Sequence, residues 1–567
     1  MITGAKMICE ALKLEGVEVV FGYPGGAALN IYDELYKQND FKHVLVRHEQ
    51  GAAHAADGYA RASGKVGVAI VTSGPGFTNT LTGIATAYAD SIPMVLISAQ
   101  VANSLIGTDA FQEIDAVGMS RPCVKHSYLV KTIEELPRVL KEAFFIARSG
   151  RPGPVHIDIP KDITAIKGEF KYPSEVNMKT YKPTYKGNPR QIKRLASALM
   201  EAKKPLLYIG GGCISSNSSE VIRKFVEKTK VPAVCTLMGL GVLEHDNPYN
   251  LRMAGMHGSY RANMAMSECD LLISLGARFD DRITGKTSEF AKLAKIAHID
   301  IDPTSISKII KADFPIVGDV GSVISDLLDE VKDFEFDLST WHSVLDRHES
   351  LYPSFSYEDS DEILKPQWVI NECAKITPNA NIITDVGQHQ MWVAQFFKFN
   401  EPRRLSTSGG LGTMGYSIPA ALGVAFAKNN EVVLNFAGDG SFLMNIQELM
   451  TLTAERKKVI NIILNNAYLG MVRQWQTRFY NERYSETNLE DVQPDYEMLA
   501  RSFGCDSFRV KSKDEFIKAY HECLKSPRTC VIDVVISRFE DVLPMVPAGA
   551  AIYNMILPQK LITKDSK

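Results

Sequence analysis

Cysteine is sparse in this chain: nine residues among 567, odd in number, scattered, and nowhere arranged as C-x-x-C. A disulfide framework and a zinc ribbon are thereby excluded, and a reducing compartment is implied. An excess of either charge is also missing. The 63 Lys and Arg against 66 Asp and Glu leave a formal net charge of -3, and there is no basic block of the kind that marks nucleic-acid binding. The longest apolar runs are broken by glycine and fall short of a membrane span. The first residues, MITGAKMICEALKLEGVEVVFGYPGG, read as an amphipathic helix followed by a strand, so no signal or transit sequence is expected there. These absences describe a soluble, cytoplasmic protein whose partners are small molecules and other proteins, with no nucleic acid and no membrane among them.

What is present is an ordinary globular composition, 45% hydrophobic and 23% charged, in a chain too long for one core. Three βα-rich thirds are separated by polar stretches near 170–191 and 334–362, which read as linkers. The expected fold is α/β, with three doubly wound parallel-sheet domains. The first third contains GVAIVTSGPGFTNTLTGIATAYADSIPMVLISAQ and the last EVVLNFAGDGSFLMNIQELMTLTAERKKVINIILNN. Both run strand, Gly-x-Gly, helix, strand, which hints at duplicated domains. Their chemistry differs, because Pro75 stands where the last third has Asp439, and Ser98-Ala99-Gln100 ends the strand that asparagines end there. A metal is therefore expected in the last third alone. The middle third alternates short strands (LLYIGGG, PAVCTLM, DLLISLGARF, KIAHIDI) with helical patterns, and no solenoid-scale repeat is visible.

The most informative pair is Gly438-Asp439-Gly440, which closes the apolar run Val432 to Ala437, and Asn465-Asn466, which closes the run Val459 to Leu464. If both runs are parallel strands joined by the helix in SFLMNIQELMTLTAE, Asp439 and Asn466 emerge at the carboxyl edge of one sheet, where open α/β proteins bind ligands. Two oxygen donors then converge on a hard divalent cation, which completes its shell with phosphate oxygens. The amides of Gly440 and Ser441 open a helix whose positive end suits an anion. Asp-Gly is also the commonest short hairpin signal. A helix-length segment between two continuous apolar runs favours the parallel crossover instead.

With G-D-G and N-N placed late, HEQGAAHAADGYARA early and GTDAFQE between them, the chain resembles thiamine-diphosphate-dependent enzymes, specifically the acetohydroxyacid (acetolactate) synthase catalytic-subunit family. Further matching segments are FGYPGG (21–26), RHEQGAAHAADGYARASG (47–64), SGPGFTN (73–79), SGRPGPVHIDIPKD (149–162), GMHG (255–258), GARFDDR (276–282), GGLGTMGYSIPAA (409–421) and GMVRQWQ (470–476). The resemblance implies a pyrimidine-binding domain over 1–168, a central FAD-binding domain over 190–334, a diphosphate-binding domain over 363–546 and a tail over 547–567. It also implies active sites shared between two chains, hence a homodimer or a dimer of dimers, and a separate small regulatory subunit. The expected cofactors are thiamine diphosphate, Mg2+ and FAD.

The resemblance assigns roles residue by residue. Glu49, at a strand-to-helix junction, would bond the ring nitrogen of the aminopyrimidine, and partial burial would favour that hydrogen bond. Met414 would wedge the cofactor into its bent form, with backbone from Gly412; Gln388 and His389 would reach the diphosphate; Asp439, Asn466 and the main-chain oxygen of Tyr468 would hold magnesium. Trp475 and Arg282 would choose the acceptor ketoacid, since indole offers an apolar face and guanidinium a fork for a carboxylate. Gly26, Phe111, Gln112 and Lys161 would line the same pocket, with Gln112 among the catalytic residues. Flavin contacts would come from Arg151, Gly211, Met256, His257, Gly276, Arg278, Asp300 and Asp319.

Without the resemblance, plainer assignments compete: a helix-start carboxylate at Glu49, a surface helix residue at His389, core residues at Met414 and Trp475, an ion pair within ARFDDR, and a tight turn at YIGGGCIS, which lacks the full G-x-G-x-x-G spacing. Thr477 to Asn488 and EDVLPMVPAGAA, with their loop-forming composition, are candidate lids. The implied reaction joins pyruvate, after decarboxylation, to a second pyruvate or to 2-ketobutyrate, the entry to branched-chain amino acids. Alternatives are an FAD-reducing pyruvate oxidase, a catabolic FAD-independent acetolactate synthase, and a catalytically dead scaffold; the last is opposed by the survival of Glu49, Asp439 and Asn466.

Overall fold

The computed structural model describes residues 1–558, which fall into two compact units. The first unit comprises Met1–Lys182, Ala380–His389 and Ser406–Ile536, so it draws on both the first and the last third of the chain. It holds two six-stranded parallel sheets. One is built from Val19–Gly22, Lys42–Leu45, Gly67–Val71, Met94–Gln100, His126–Leu129 and Pro154–Pro160. The other is built from Asn381–Thr384, Leu405–Ser406, Val433–Gly438, Ile460–Asn465, Asp506–Val510 and Cys530–Val535. Counted along the chain within each sheet, the strands lie side by side as second, first, third, fourth, sixth, fifth in both. The duplication hinted at by sequence is therefore topological as well.

The central strands read as unbroken apolar runs because both faces are covered: every residue of Gly67–Val71, Met94–Gln100 and Ile460–Asn465 is buried. One core cluster joins the two sheets, running from Phe21 and Val71 through Ile383 to Ile463 and Val531. Its centre is the helix pair Glu49–Ser63 and Ser417–Ala427. These helices approach backbone to backbone. A Cβ on Gly58 would lie 2.2 Å from the Ala420 carbonyl oxygen, and one on Gly423 would lie 1.9 Å from that of Ala55.

The second unit comprises Pro183–Asn379, Gln390–Leu405 and the segment from Ser537 onward. Its parallel sheet orders its strands as third, second, first, fourth, fifth, sixth: Asn250–Met253, Ala233–Cys235, Pro205–Ile209, Leu271–Leu275, Lys295–Asp300 and Phe314–Val317. That is the order of dinucleotide-binding open sheets, with the topological switch between the first and fourth strands. The polar stretch 334–362, expected as a linker, instead contains the helix Ser339–Leu351. Trp341 and Leu345, one turn apart, are buried, and the Trp341 indole donates to the Pro205 carbonyl at 3.1 Å.

Candidate active site

Val433–Gly438 and Ile460–Asn465 pair in parallel, Gly438 opposite Leu464, so the hairpin alternative is excluded and Asp439 and Asn466 both leave carboxyl ends of adjacent strands. Asp439 begins the short helix Asp439–Phe442, Gly440 follows it, and Ser441 closes the turn by accepting the Gly438 amide at 3.1 Å. The Asp439 side chain is 1% exposed and accepts from the Gln493 amide; its carbonyl accepts from Tyr496 Oη at 3.0 Å. Burial pushes its carboxyl up to about 7, and the charge near it is another carboxyl, Asp533. A buried carboxylate beside a second acid is an arrangement that a divalent cation relieves.

Asn466, at the same edge, bonds to a second set of partners. Its Nδ2 donates to Gln388 Oε1 at 3.1 Å, its Oδ1 accepts from the Tyr468 amide at 3.1 Å, and Gln388 Nε2 donates to Gln474 Oε1 at 2.9 Å. Gln493 also donates to Asn465 Oδ1 at 3.0 Å, so hydrogen bonds and the Asn465-Asn466 peptide link Asp439 to Gln388. His389 is buried and its Nε2 has no partner; desolvation drops its pKa to about 3, so the ring is neutral. Among the described residues no three His, Cys, Asp or Glu side chains are grouped to hold a metal. A set made of one carboxylate, one amide and one carbonyl needs no such cluster when phosphate oxygens complete the shell.

The loop carrying Met414 is held by acids from elsewhere in the first unit. Asp90 accepts the amides of Gly409 and Gly410 at 2.9 and 2.7 Å, and Asp385 those of Gly415 and Ser417, both at 2.9 Å. Arg61, itself buried, bonds Asp90 at 2.8 Å and Asp57, while the Tyr416 hydroxyl donates to Asp57 at 2.6 Å. Within this frame Gly412 sits in the left-handed region (φ 70°), exposed, and Met414 is half-buried rather than core.

Glu49 begins its helix with a half-buried carboxyl whose Oε2 accepts from Asn79 Nδ2 at 2.9 Å. Gly26 lies exposed with open space beside it, and Lys161 is exposed at the start of Lys161–Ala165. Phe111 is 87% exposed. Gln112 is left-handed (φ 62°) in a loop that Glu113 closes by accepting the amides of Gly107 and Ala110. Trp475, on Gly470–Phe479, is half-buried against Phe479 with ring centres 5.2 Å apart. The candidate lid 477–488 packs on that helix, with Thr487 Oγ1 donating to Gln476 at 2.7 Å.

In the second unit Gly276 (φ 53°) follows the fourth strand and meets the Gly212 backbone beside Gly211, at the switch point. Met256 donates its amide to the Arg282 carbonyl at 2.7 Å and accepts the Val546 amide at 2.8 Å. His257 pairs Nδ1 with the Pro544 carbonyl at 3.1 Å. Asp300 Oδ1 accepts the Asp302 amide, Asp319 caps Val320–Val331, and Arg278 is exposed, its carbonyl accepting from Tyr208. Arg282 forms an exposed pair with Asp281 at 3.2 Å. Arg151, whose Nε donates to Ser91 at 2.7 Å, belongs to the first unit. The candidate lid 540–551 is described here, whereas the tail expected over 547–567 lies beyond the described residues from 559 onward.

Sequence reasoning did not single out Asn79, Asp90, Asp385, Gln474 or Gln493. Asn79 ends the matching segment SGPGFTN and Gln474 lies within GMVRQWQ, so both could have been found there; Asp90, Asp385 and Gln493 sit in none of the matching segments.

Three family models match: "Thiamine pyrophosphate enzyme, N-terminal TPP binding domain" at residues 2–119, the central domain of the same enzymes at 192–327, and their C-terminal TPP binding domain at 385–534. The chain thus carries the three domains of a thiamine pyrophosphate enzyme. The acetolactate synthase large subunit of Buchnera aphidicola is 46% identical over 99% of this chain and 100% of its own length. The acetolactate synthase isozyme 3 large subunit of Escherichia coli is 46% identical over 98% of this chain and 99% of its own length. A probable acetolactate synthase large subunit from Methanocaldococcus jannaschii is 47% identical over 100% and 97%. The chain belongs to the acetolactate synthase large-subunit family.

Proposed function

We propose that this chain is the catalytic subunit of an acetohydroxyacid synthase: two pyruvate anions and a proton give 2-acetolactate and carbon dioxide, and pyruvate with 2-ketobutyrate gives 2-aceto-2-hydroxybutyrate. This is the first common step of branched-chain amino-acid synthesis. The end-to-end similarity to acetolactate synthase large subunits carries this reading. Thiamine diphosphate, when bound, supplies the carbon nucleophile and accepts the negative charge left by decarboxylation. The chain's own residues would do the rest. Asp439, Asn466 and the Tyr468 carbonyl would hold Mg2+; Gln388, His389, Gly440 and Ser441 would receive the diphosphate; Gly412 and Met414 would support the bend. Glu49, oriented by Asn79, would share a proton with the aminopyrimidine.

Arg282 would take the acceptor's carboxylate and Trp475 its alkyl group, with Gly26, Phe111, Gln112 and Lys161 around them. The half-exposed indole in the first unit and, in the second, the guanidinium whose exposed partner Asp281 a ligand carboxylate would replace support this assignment. FAD would lie at the switch point of the second unit, against Gly211, Gly276, Met256, His257, Arg278, Asp300 and Asp319; the resemblance also assigns it Arg151. The strand order and the close Gly212–Gly276 approach suit a dinucleotide. The same proposal includes the domain limits 1–168, 190–334 and 363–546, a homodimer, a smaller regulatory subunit and a cytoplasmic location. Among the described residues no helix is long and apolar enough to cross a membrane.

The test is product analysis with pyruvate, alone and mixed with 2-ketobutyrate, with and without FAD. Acetolactate and acetohydroxybutyrate are expected. Acetate with bleaching of the flavin under anaerobic pyruvate would indicate an oxidase instead.

A further inference from the structure

Glu448 carries a carboxylate that the proposed chemistry does not use. It begins the helix Glu448–Ala454 and is 0% exposed. Its Oε1 accepts the backbone amides of Arg47 at 2.9 Å and His48 at 3.1 Å, and its Oε2 accepts from Thr451 Oγ1 at 2.6 Å. Arg47 and His48 are the two residues before Glu49. His48 is extended (φ -158°, ψ 145°) and caps the helix, so neither amide has an intrahelical acceptor.

Neighbouring amides have acceptors of their own. Val46 donates to the Gly22 carbonyl at 3.2 Å, Gln50 to His48 Nδ1 at 3.2 Å, and Ala52 to the His48 carbonyl at 3.2 Å. The fit is tight on the helix side too: a Cβ on Gly51 would lie 2.5 Å from Glu448 Oε1 and 2.8 Å from its Cδ. A buried acceptor that takes two amides at a helix start also meets the positive end of the helix dipole. Those bonds oppose the desolvation that pushes the Glu448 carboxyl upward.

We infer that Glu448 is a positioning residue: by seizing the Arg47 and His48 amides it sets where the backbone delivers Glu49, while Asn79 sets the direction of the Glu49 carboxyl. This rests on the role proposed above for Glu49. The reach of the acceptor matters, not its charge. Glu448→Asp keeps the carboxylate but withdraws it by one methylene; Glu448→Gln keeps Oε1 in place and lets the Thr451 hydroxyl turn to accept. A shift of Glu49 by about 1 Å is expected to lower kcat by about 100-fold, because near-attack geometry is that sensitive.

The experiment compares wild type, E448D, E448Q and E49Q as full-length enzyme. It reads kcat and KM for pyruvate at saturating cofactors, and amide hydrogen exchange by mass spectrometry of peptides spanning residues 42–52 without cofactor. E448D is expected to lose kcat with KM little changed and to speed exchange at 47–48; E448Q is expected to recover most of both. The inference falls if E448D keeps wild-type kcat and protection, or if E448Q is impaired as severely as E448D. Should E49Q prove fully active while exchange still responds to E448D, the Glu49 role fails and the anchoring stands. The exchange readout needs no turnover, so it survives either result.

Discussion

Gly470→Ala is the sharpest probe of the candidate site, because its sign is opposite to the usual rule. Gly470 opens the helix Gly470–Phe479 and does not lie among the left-handed glycines, so backbone conformation does not demand glycine there. At an open helical position the change would stabilise by about 0.5–1 kcal/mol. Here the added methyl would lie 2.1 Å from Gln388 Oε1 and 2.6 Å from Asn466 Nδ2. Both neighbours are side-chain ends, so they would swing aside, breaking the 3.1 Å Asn466–Gln388 and 2.9 Å Gln388–Gln474 bonds. Each such bond is worth about 1 kcal/mol, and an orphaned buried partner costs about 1–3 kcal/mol. The net expectation is a destabilisation of about 1–3 kcal/mol in place of a gain. Losing either side chain from an anion and cation site removes about 1.5–3 kcal/mol of binding, roughly 10–100-fold in Kd. Calorimetric titration of the apoprotein with thiamine diphosphate at saturating Mg2+ measures the second effect. The melting midpoint measures the first, and is preferable to a two-state free energy for a multidomain chain. A raised midpoint together with a Kd within about threefold of wild type would refute the placement of Gln388 and Asn466 at the ligand.

Glu49→Gln is expected to keep the fold and cofactor binding while lowering turnover by about 100-fold or more, read by steady-state kinetics; near-normal turnover would remove Glu49 from the chemistry. Trp475→Leu should change the ratio of acetohydroxybutyrate to acetolactate in mixed-substrate assays, and an unchanged ratio would reassign acceptor choice. Asp158 is buried, bonded to Ser98 at 2.6 Å and Gln100 at 3.0 Å, and burial pushes its carboxyl up to about 6 from 3.8. The folded state thus holds this proton more tightly than the unfolded chain, so the associated stability is present below about pH 4 and is lost as pH rises through about 6, on the order of 3 kcal/mol. Asp158→Asn should flatten that part of the pH dependence of the melting midpoint; an unaltered difference from wild type between pH 4 and 7 would contradict the assignment. Gly58→Ala drives a methyl to 2.2 Å from a main-chain oxygen that cannot turn away, and should lower the midpoint by an overpacking cost of about 1–3 kcal/mol. An unchanged midpoint would mean the two helices are not in backbone contact.

Much of the fold was legible because parallel strands covered on both faces must be apolar throughout, and Val432 to Ala437 and Val459 to Leu464 are so written. The crossover between them followed from its length. Strand order was not legible. Nothing local to Leu405–Ser406, a two-residue edge strand, says that it flanks Asn381–Thr384. The stretch 334–362 misled through composition: its charged residues outnumber the apolar residues that bury it, Leu338, Trp341, Leu345 and Phe355, and dilute them. The joining of first and last thirds into one unit rests on the small residues of EQGAAHAADGYARAS and SIPAALGVAFA, which allow helices to touch by backbone. Those alanines and glycines were in view, but their partner was not.

The same division governs the site. Residues proposed to meet a ligand are constrained in kind by chemistry, so Asp439, Asn466 and Glu49 stand out inside short motifs. Residues that hold those motifs in place act on backbone amides, and an amide carries no sequence. Asp90 binds Gly409 and Gly410 across 319 and 320 positions, and Glu448 binds Arg47 and His48 across 401 and 400. Any buried acceptor of the right reach would serve, which is why acid identity at Glu448 should matter less than its length. Such an anchor leaves one trace in sequence, a glycine opposite it where no Cβ fits, as Gly51 does for Glu448. Glycines inside helices that are neither left-handed nor terminal therefore mark places where a distant carboxylate or backbone comes close, and substituting them tests the anchor without touching it.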